Sequence, residues 1–276
     1  MAEETYFVKS KVANKYDGYI GENIPFYWPA LNFISERVGE HFSDKNQLDC
    51  MEIGSGSANL SITVSKHIKM KSLLLVDHSA AFLEVAKQKL AETDSVPIIP
   101  SFKHASFLSD DWQNDIEPNS KDLILSSLTL DHIADDDEFL SLLKKLRGLL
   151  KKGGCFVTAE KCASSDMTTK SWQSFAKMIH IRGENNLKNN FKNPSEIEAW
   201  KHHNFTEDIL RPFADVWTLT EKAGFTVEHA GGVPLPEPES LNYDNFYELN
   251  KISSFTRHEV FSSDKALGVA ILICQK

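Results

Sequence analysis

LDCMEIGSGSANLSITVSKHIKMKSLLLVD, residues 48–77, decides how the chain is read. A run that reads as a strand, 48–53, carries Glu52 two residues ahead of a glycine pair, Gly54 and Gly56. A helix-like segment follows, and an apolar run, Leu73 to Val76, ends on Asp77. This is a β-α-β unit with a tight loop after its first strand and a carboxylate closing its second. Such a unit holds a nucleoside-like ligand at the carboxyl ends of parallel strands. Gly54 and Gly56 let the backbone turn sharply and approach a ligand with no Cβ in the way. Asp77, about 20 residues on, is placed to accept the hydroxyl hydrogens of a ribose.

Glu52 narrows the ligand. A dinucleotide loop needs glycine or alanine where this chain has Asn59, and an acid at the end of the first strand repels a pyrophosphate. A carboxylate there suits a ligand with an ammonium group and no phosphates. S-adenosylmethionine (SAM), with its zwitterionic tail and cationic sulfonium, answers that description. With Glu52-Ile-Gly54-Ser55-Gly56-Ser57-Ala58 and Leu73-Leu-Leu-Val76-Asp77-His78-Ser79, the chain resembles class I SAM-dependent methyltransferases. It departs from the family's glycine loop at one place, where Ala58 stands for the third glycine.

Outward from this unit the pattern alternates. A helix is expected over 30–41 and another over 57–68; 79–91 is a third. Strands are expected near 102–107 and over 122–127, then a helix from about 135 to 151, a Gly153-Gly154 turn, and a strand over 155–159. Alternation of this kind predicts an α/β fold with a doubly wound, mostly parallel sheet. The resemblance implies seven strands, the last one reversed, and an inserted helical lid. The domain boundaries expected are a helical and aromatic lead-in, 1–47; a SAM-binding Rossmann-like core, 48–160; an inserted lid or acceptor region, 161–212; and a completion of the sheet, 213–276. The insertion reads either as a lid over the acceptor or as a plain surface elaboration.

Composition bounds the function. A net charge of −9 and a pI near 5.6 argue against a general nucleic-acid binder. The clustered Lys144, Lys145, Arg147, Lys151 and Lys152 read as the solvated face and final turn of one helix. Cys50, Cys155, Cys162 and Cys274 show no paired or metal-ligand spacing, so they read as reduced, mostly buried thiols and no metal is expected. The amino terminus, MAEETYFVKSKV, has no signal-peptide pattern, and no run is long enough to span a membrane. The expectation is a soluble cytoplasmic enzyme with a small-molecule acceptor as partner, no nucleic acid and no membrane; a homodimer stays open.

The resemblance then assigns the loops after the strands. Glu52, Gly54, Ser55 and Gly56 would hold the methionine part of SAM, Asp77 the ribose, and His78 would lie beside the adenine. Ser106 and Phe107 fall where relatives have an acid for the adenine amino group and an apolar residue for its ring; Asp110 or Asp111 is the alternative source of that charge. Ser127 opens the loop that touches donor methyl and acceptor. In that loop Asp131 and His132 read either as a general-base pair or as a cap and its packing partner. Tyr27 and Tyr19 read either as rings against the sulfonium or as anchors of the amino-terminal segment. His202, His203 and Arg211 are candidates to meet an acceptor carboxylate or to be surface residues.

A narrower similarity joins Ile24-Pro-Phe-Tyr27, Ser127-Leu-Thr-Leu130 and Glu160-Lys161 to the carboxy-SAM synthase family, which uses SAM with prephenate. The insertion differs from that family's, and its basic carboxylate-binding cluster is not recognisable here. The leading expectation is therefore methyl transfer from SAM to O or N of a small molecule. The alternatives are a carboxy-SAM synthase-like enzyme and a SAM-binding protein without transfer activity.

Overall fold

The computed structural model describes residues 10–45, 47–93, 100–189 and 194–276. Two helices, α1 (Ser10–Asn23) and α2 (Tyr27–His41), lead into the sheet. Then come β1 (Leu48–Ile53), α3 (Asn59–Val64), β2 (Met70–Asp77), α4 (Ala80–Ala91), β3 (Ser101–His104) and β4 (Lys121–Ser127). A single 3-10 turn, Leu130–His132, precedes α5 (Asp136–Leu149) and the long β5 (Leu150–Cys162). The inserted region forms α6 (Lys170–Asn189) and α7 (Pro194–His202). The chain closes with α8 (Phe213–Lys222), β6 (Thr226–Pro234), α9 (Tyr243–Tyr247), β7 (Ser253–Ser254), α10 (Arg257–Phe261) and β8 (Leu267–Gln275).

Among the described residues the sheet has eight strands in the order β3-β2-β1-β4-β5-β8-β6-β7. The strands from β3 to β5 run parallel to one another, and β8 inserts antiparallel between β5 and β6. The doubly wound sheet with a reversed last strand is therefore present; the eighth strand is the two-residue β7 added at the β6 edge. Order reverses between β1 and β4, which opens a crevice at the carboxyl ends of those strands.

Side chains that alternate along each strand serve two cores. Leu48 and Cys50 of β1, Leu123 and Leu125 of β4, and Cys155 and Val157 of β5 pack with α2, α3 and α4. Met51, Ile53, Ile124 and Phe156 pack on the other face with α5 and α8. All four cysteines are free and buried. Phe175, Met178, Ile179 and Trp200 of the insertion belong to the first core, so α6 and α7 are a packed layer rather than a loose appendage.

Two elements differ from the sequence expectation. The first helix of the core ends at Val64 rather than near residue 68, because the run after it, Ser65-Lys-His-Ile, turns to feed β2. The Gly153-Gly154 pair lies inside β5 rather than in a turn before it. There the ladder with β4 shifts register, and Gly153 takes φ +73°. The helix before it stops at Leu149.

Candidate active site

The crevice at the reversal point is a cavity of about 430 Å³, lined by Glu52, Gly54, Ser55, Gly56, Asp77, His78, Ser106, Phe107 and Ser127 among others. That volume suits a small-molecule ligand. Each of its corners follows from local sequence. Gly54 has φ +57°, and a Cβ on it would stand 2.2 Å from Thr129 Cγ2, so glycine alone fits between β1 and the β4 loop. Gly56, at φ +48°, has open room where a Cβ would go, which leaves its backbone bare to the cavity.

Ala58 takes φ +62° at the start of α3 while its side chain is fully buried. Alanine pays roughly 1 kcal/mol for that conformation, which the glycine of related loops does not. Ala58→Gly is expected to change unfolding free energy by less than about 1 kcal/mol, because relief of strain is offset by a freer unfolded chain. Chemical denaturation checks this.

Asp77 is the hinge of the donor loop. Its Oδ2 accepts the Gly56 N–H at 2.8 Å and its Oδ1 the Ser79 N–H at 2.8 Å. Burial pushes its pKa up against these bonds. Glu52, wholly buried, accepts the Ser61 N–H at 3.1 Å and the Ser61 hydroxyl. Burial raises its pKa to about 8. A group that arrives with an ammonium charge would restore the carboxylate, so SAM binding at pH 7 is expected to release about one proton, and at pH 9 almost none. Calorimetry in buffers of different ionisation enthalpy measures this; Glu52→Gln should erase the release. The Ser55 hydroxyl, on the cavity wall, is buried without a hydrogen-bond partner among the described residues.

Tyr27 lines the same cavity and accepts a hydrogen bond from Asn59 at 3.1 Å, so it faces the ligand and anchors its helix at once. Tyr19 lies in α1, and its side chain is outside the described residues. Tyr16, one turn earlier, lines the cavity and stacks edge-on against Phe82 at 5.3 Å. Asp17 beside it accepts from Ser57 at 2.6 Å and Asn59 at 2.9 Å and pairs with Lys89 at 2.6 Å, clamping α1 to the glycine loop. Asp110 and Asp111 are exposed and away from the cavity lining, which leaves Ser106 and Phe107 on that wall.

The β4 loop is strained and held from behind. Leu128 has φ +52°, an uncommon conformation for a bulky residue, and faces the cavity. Glu160 accepts the Thr129 and Leu130 N–H groups at 3.0 and 3.1 Å and the Thr158 hydroxyl at 2.6 Å. Burial, with Asp131 nearby, raises its pKa to about 8. Asp131 is buried against Lys161 at 2.9 Å, and Lys161 also bonds Asp208. Burial opposes charge on Asp131 and Lys161 alike; the ion pairing outweighs it, lowering the Asp131 pKa and raising that of Lys161.

His132 lines the donor cavity and a second chamber of about 40 Å³, together with Tyr16 and Leu128. His203 is buried on that second chamber, and its ring lies 5.3 Å from that of His132. His202, its neighbour, is exposed and lines neither chamber. Arg211 is engaged with Asp136 at 2.7 Å and stacked on Phe139, which ties the end of the insertion to α5 and away from both chambers. Sequence reading missed Tyr16, Leu128, Glu207 and Arg182, which line one chamber or the other.

Residues 51–156 match the family model described as "Methyltransferase domain". The match covers the core from β1 into β5. It marks the chain as a SAM-dependent enzyme, and SAM is the cofactor that its loops fit. Curated relatives include carboxy-S-adenosyl-L-methionine synthases. That of Campylobacter lari is 23% identical over 82% of this chain and 88% of its own length. That of Nautilia profundicola is 24% identical over 81% and 88%. Among solved structures, a SAM-dependent methyltransferase of Thermotoga maritima superposes with TM-score 0.53 at 16% identity, covering 99% of this chain and 100% of that one. A Methanococcus maripaludis protein assigned to the same class gives TM-score 0.55 at 16% identity over 100% and 97%. These likenesses establish the shared fold.

Proposed function

We propose that the enzyme transfers a methyl group from SAM to O or N of a small-molecule acceptor. The observation that carries this reading is the second chamber, which meets the donor cavity at Tyr16, Leu128 and His132. SAM bound in the larger cavity supplies an electrophilic methyl group on a sulfonium. The chain's part is to hold both reactants in line, which is where most of the rate of such a displacement originates. Glu52, Ser55, Gly56 and Asp77 fix the donor, with His78 and Ser106 at the lip and Phe107 and Ser127 along the walls. His132, half-buried at the junction with Asp131 behind it, orients the acceptor and takes its proton where one must be lost. His203 and its neighbours line the acceptor side. Exposed His202 and the engaged Arg211 are not used in this reading.

A second reading, formation of a carboxylated SAM, is favoured by the names of the curated relatives. The charge of the second chamber does not separate the two readings: Lys161, Arg182, His132 and His203 line it, while Asp131 and Asp208 pair with Lys161 from behind that lining.

The protein incubated with methyl-labelled SAM and fractionated small-molecule extract is expected to yield S-adenosylhomocysteine and one labelled product. Native mass spectrometry that instead finds a bound donor heavier by one CO₂ supports the second reading. SAM binding with no turnover on any fraction overturns both.

A further inference from the structure

His203 and Asp208 bracket one wide turn, His203–Glu207, closed by an i to i+5 hydrogen bond from Asp208 N–H to the His203 carbonyl at 3.0 Å. Turns of this width are rare and recur at functional sites. This one brings both side chains to the same side, where His132 meets them from the β4 loop. His132 Nδ1 lies 3.6 Å from Asp208 Oδ1, and His203 Nε2 lies 3.5 Å from the same oxygen. One donor atom from each of the three lies within 4.8 Å of the others. The Asp208 side chain is wholly buried, yet Oδ1 has no hydrogen-bond partner among the described residues.

We propose that His132, His203 and Asp208 form a binding site for a divalent transition-metal ion, open toward the acceptor chamber. The spacing suits it. Bonds of about 2.1 Å in a tetrahedral arrangement put ligand atoms about 3.4 Å apart, close to the two separations seen here. Two imidazoles and one carboxylate select ions of the zinc, iron(II) and cobalt(II) kind over magnesium or calcium.

Two of the three ligands, His203 and Asp208, are already held by a partner on the far side, as metal ligands generally are. Glu207 binds His203 Nδ1 at 2.8 Å, and Lys161 bonds Asp208 through Oδ2, leaving Oδ1 for the ion. The surroundings favour a cation as well, since three carboxylates stand against the two cations Lys161 and Arg182.

His132 and His203 both line the 40 Å³ chamber, so an ion held by them is reached from the acceptor side. That volume admits a water or one donor group of an acceptor. The metal site itself stands on donor geometry. Its use, to hold an acceptor oxygen or nitrogen beside the donor methyl, rests on the methyl-transfer reading and replaces the proton-taking role of His132.

The test is calorimetry on the full, untagged chain after chelator treatment, with Zn²⁺ and Co²⁺ as titrants. One ion per chain is expected, and the Co²⁺ form should show visible d–d bands without thiolate charge transfer. His132→Ala and His203→Ala should each weaken binding by at least about 100-fold, and Glu207→Gln by roughly 10-fold. Circular dichroism establishes that each variant is folded. No saturable binding of Zn²⁺, Co²⁺, Fe²⁺ or Mn²⁺ overturns the proposal, as does a site left unchanged in both histidine variants. SAM titrated into the same metal-free protein separates the two readings. Donor binding without metal binding overturns the metal site alone, and metal binding without donor binding overturns the donor assignment alone.

Discussion

Asp77→Ala is expected to raise the dissociation constant for SAM by about a thousandfold, roughly 4 kcal/mol, the scale of two hydrogen bonds to a charged group. The carboxylate already accepts Gly56 N–H and Ser79 N–H, one on each oxygen. A carboxylate offers about four acceptor sites, so two remain for a pair of ribose hydroxyls. The same side chain therefore shapes the glycine loop and meets the ligand, and alanine removes both effects. Asp77→Asn separates them in part, because one oxygen survives as an acceptor while its charge is lost. Calorimetry should place the asparagine variant between wild type and alanine. An unchanged affinity in the alanine variant would remove Asp77 from the donor site. NAD should bind none of the three proteins, since Asn59 stands where a dinucleotide loop needs glycine or alanine.

The donor half of the site was legible in the sequence because its determinants are local. Glu52, Gly54, Gly56 and Asp77 fall within one β-α-β unit, and a strand, a tight turn and a strand fix their relative places whatever the rest of the chain does. The topology followed for a similar reason: alternating apolar runs and amphipathic segments leave few ways to build a parallel sheet. The acceptor half had no such local mark. His132, Lys161, His203 and Asp208 come from the β4 loop, the end of β5 and the wide turn after α7, and no spacing rule links them. His203 looked no different from exposed His202; which of the two turns inward is set by the wide turn and by Glu207. Tyr16 escaped notice as a lining residue because an aromatic in a polar lead-in carries no sign of the face it takes. Glu160 was quoted only as part of a resemblance, yet it holds the loop that joins the two chambers.

Lys161→Met should destabilise the chelator-treated protein by about 3–5 kcal/mol, the usual cost of removing one partner from a buried ion pair. Lys161 is buried between Asp131, at 2.9 Å, and Asp208. Apart from the Lys161 ammonium group, neither oxygen of Asp131 nor the Oδ1 of Asp208 has a hydrogen-bond partner among the described residues, so Lys161 is the main source of their compensation. Methionine fills much of the lysine stem's volume and keeps the packing, which confines the loss to charge. Two uncompensated carboxylates would then face each other at the junction of β5, the β4 loop and the insertion. The loss should also spread. The Ile209 N–H bonds the Asp131 carbonyl, so movement of Asp131 away from Asp208 pulls on the segment that carries the wide turn. Urea unfolding measures the effect. In the same experiment Lys161→Met combined with Asp131→Asn and Asp208→Asn should recover most of the lost stability, because neutral amides need no cation. If the single variant loses less than about 1 kcal/mol, the three groups do not form a buried charge cluster in solution. If the triple variant is no better than the single one, the lysine acts through its packing rather than its charge.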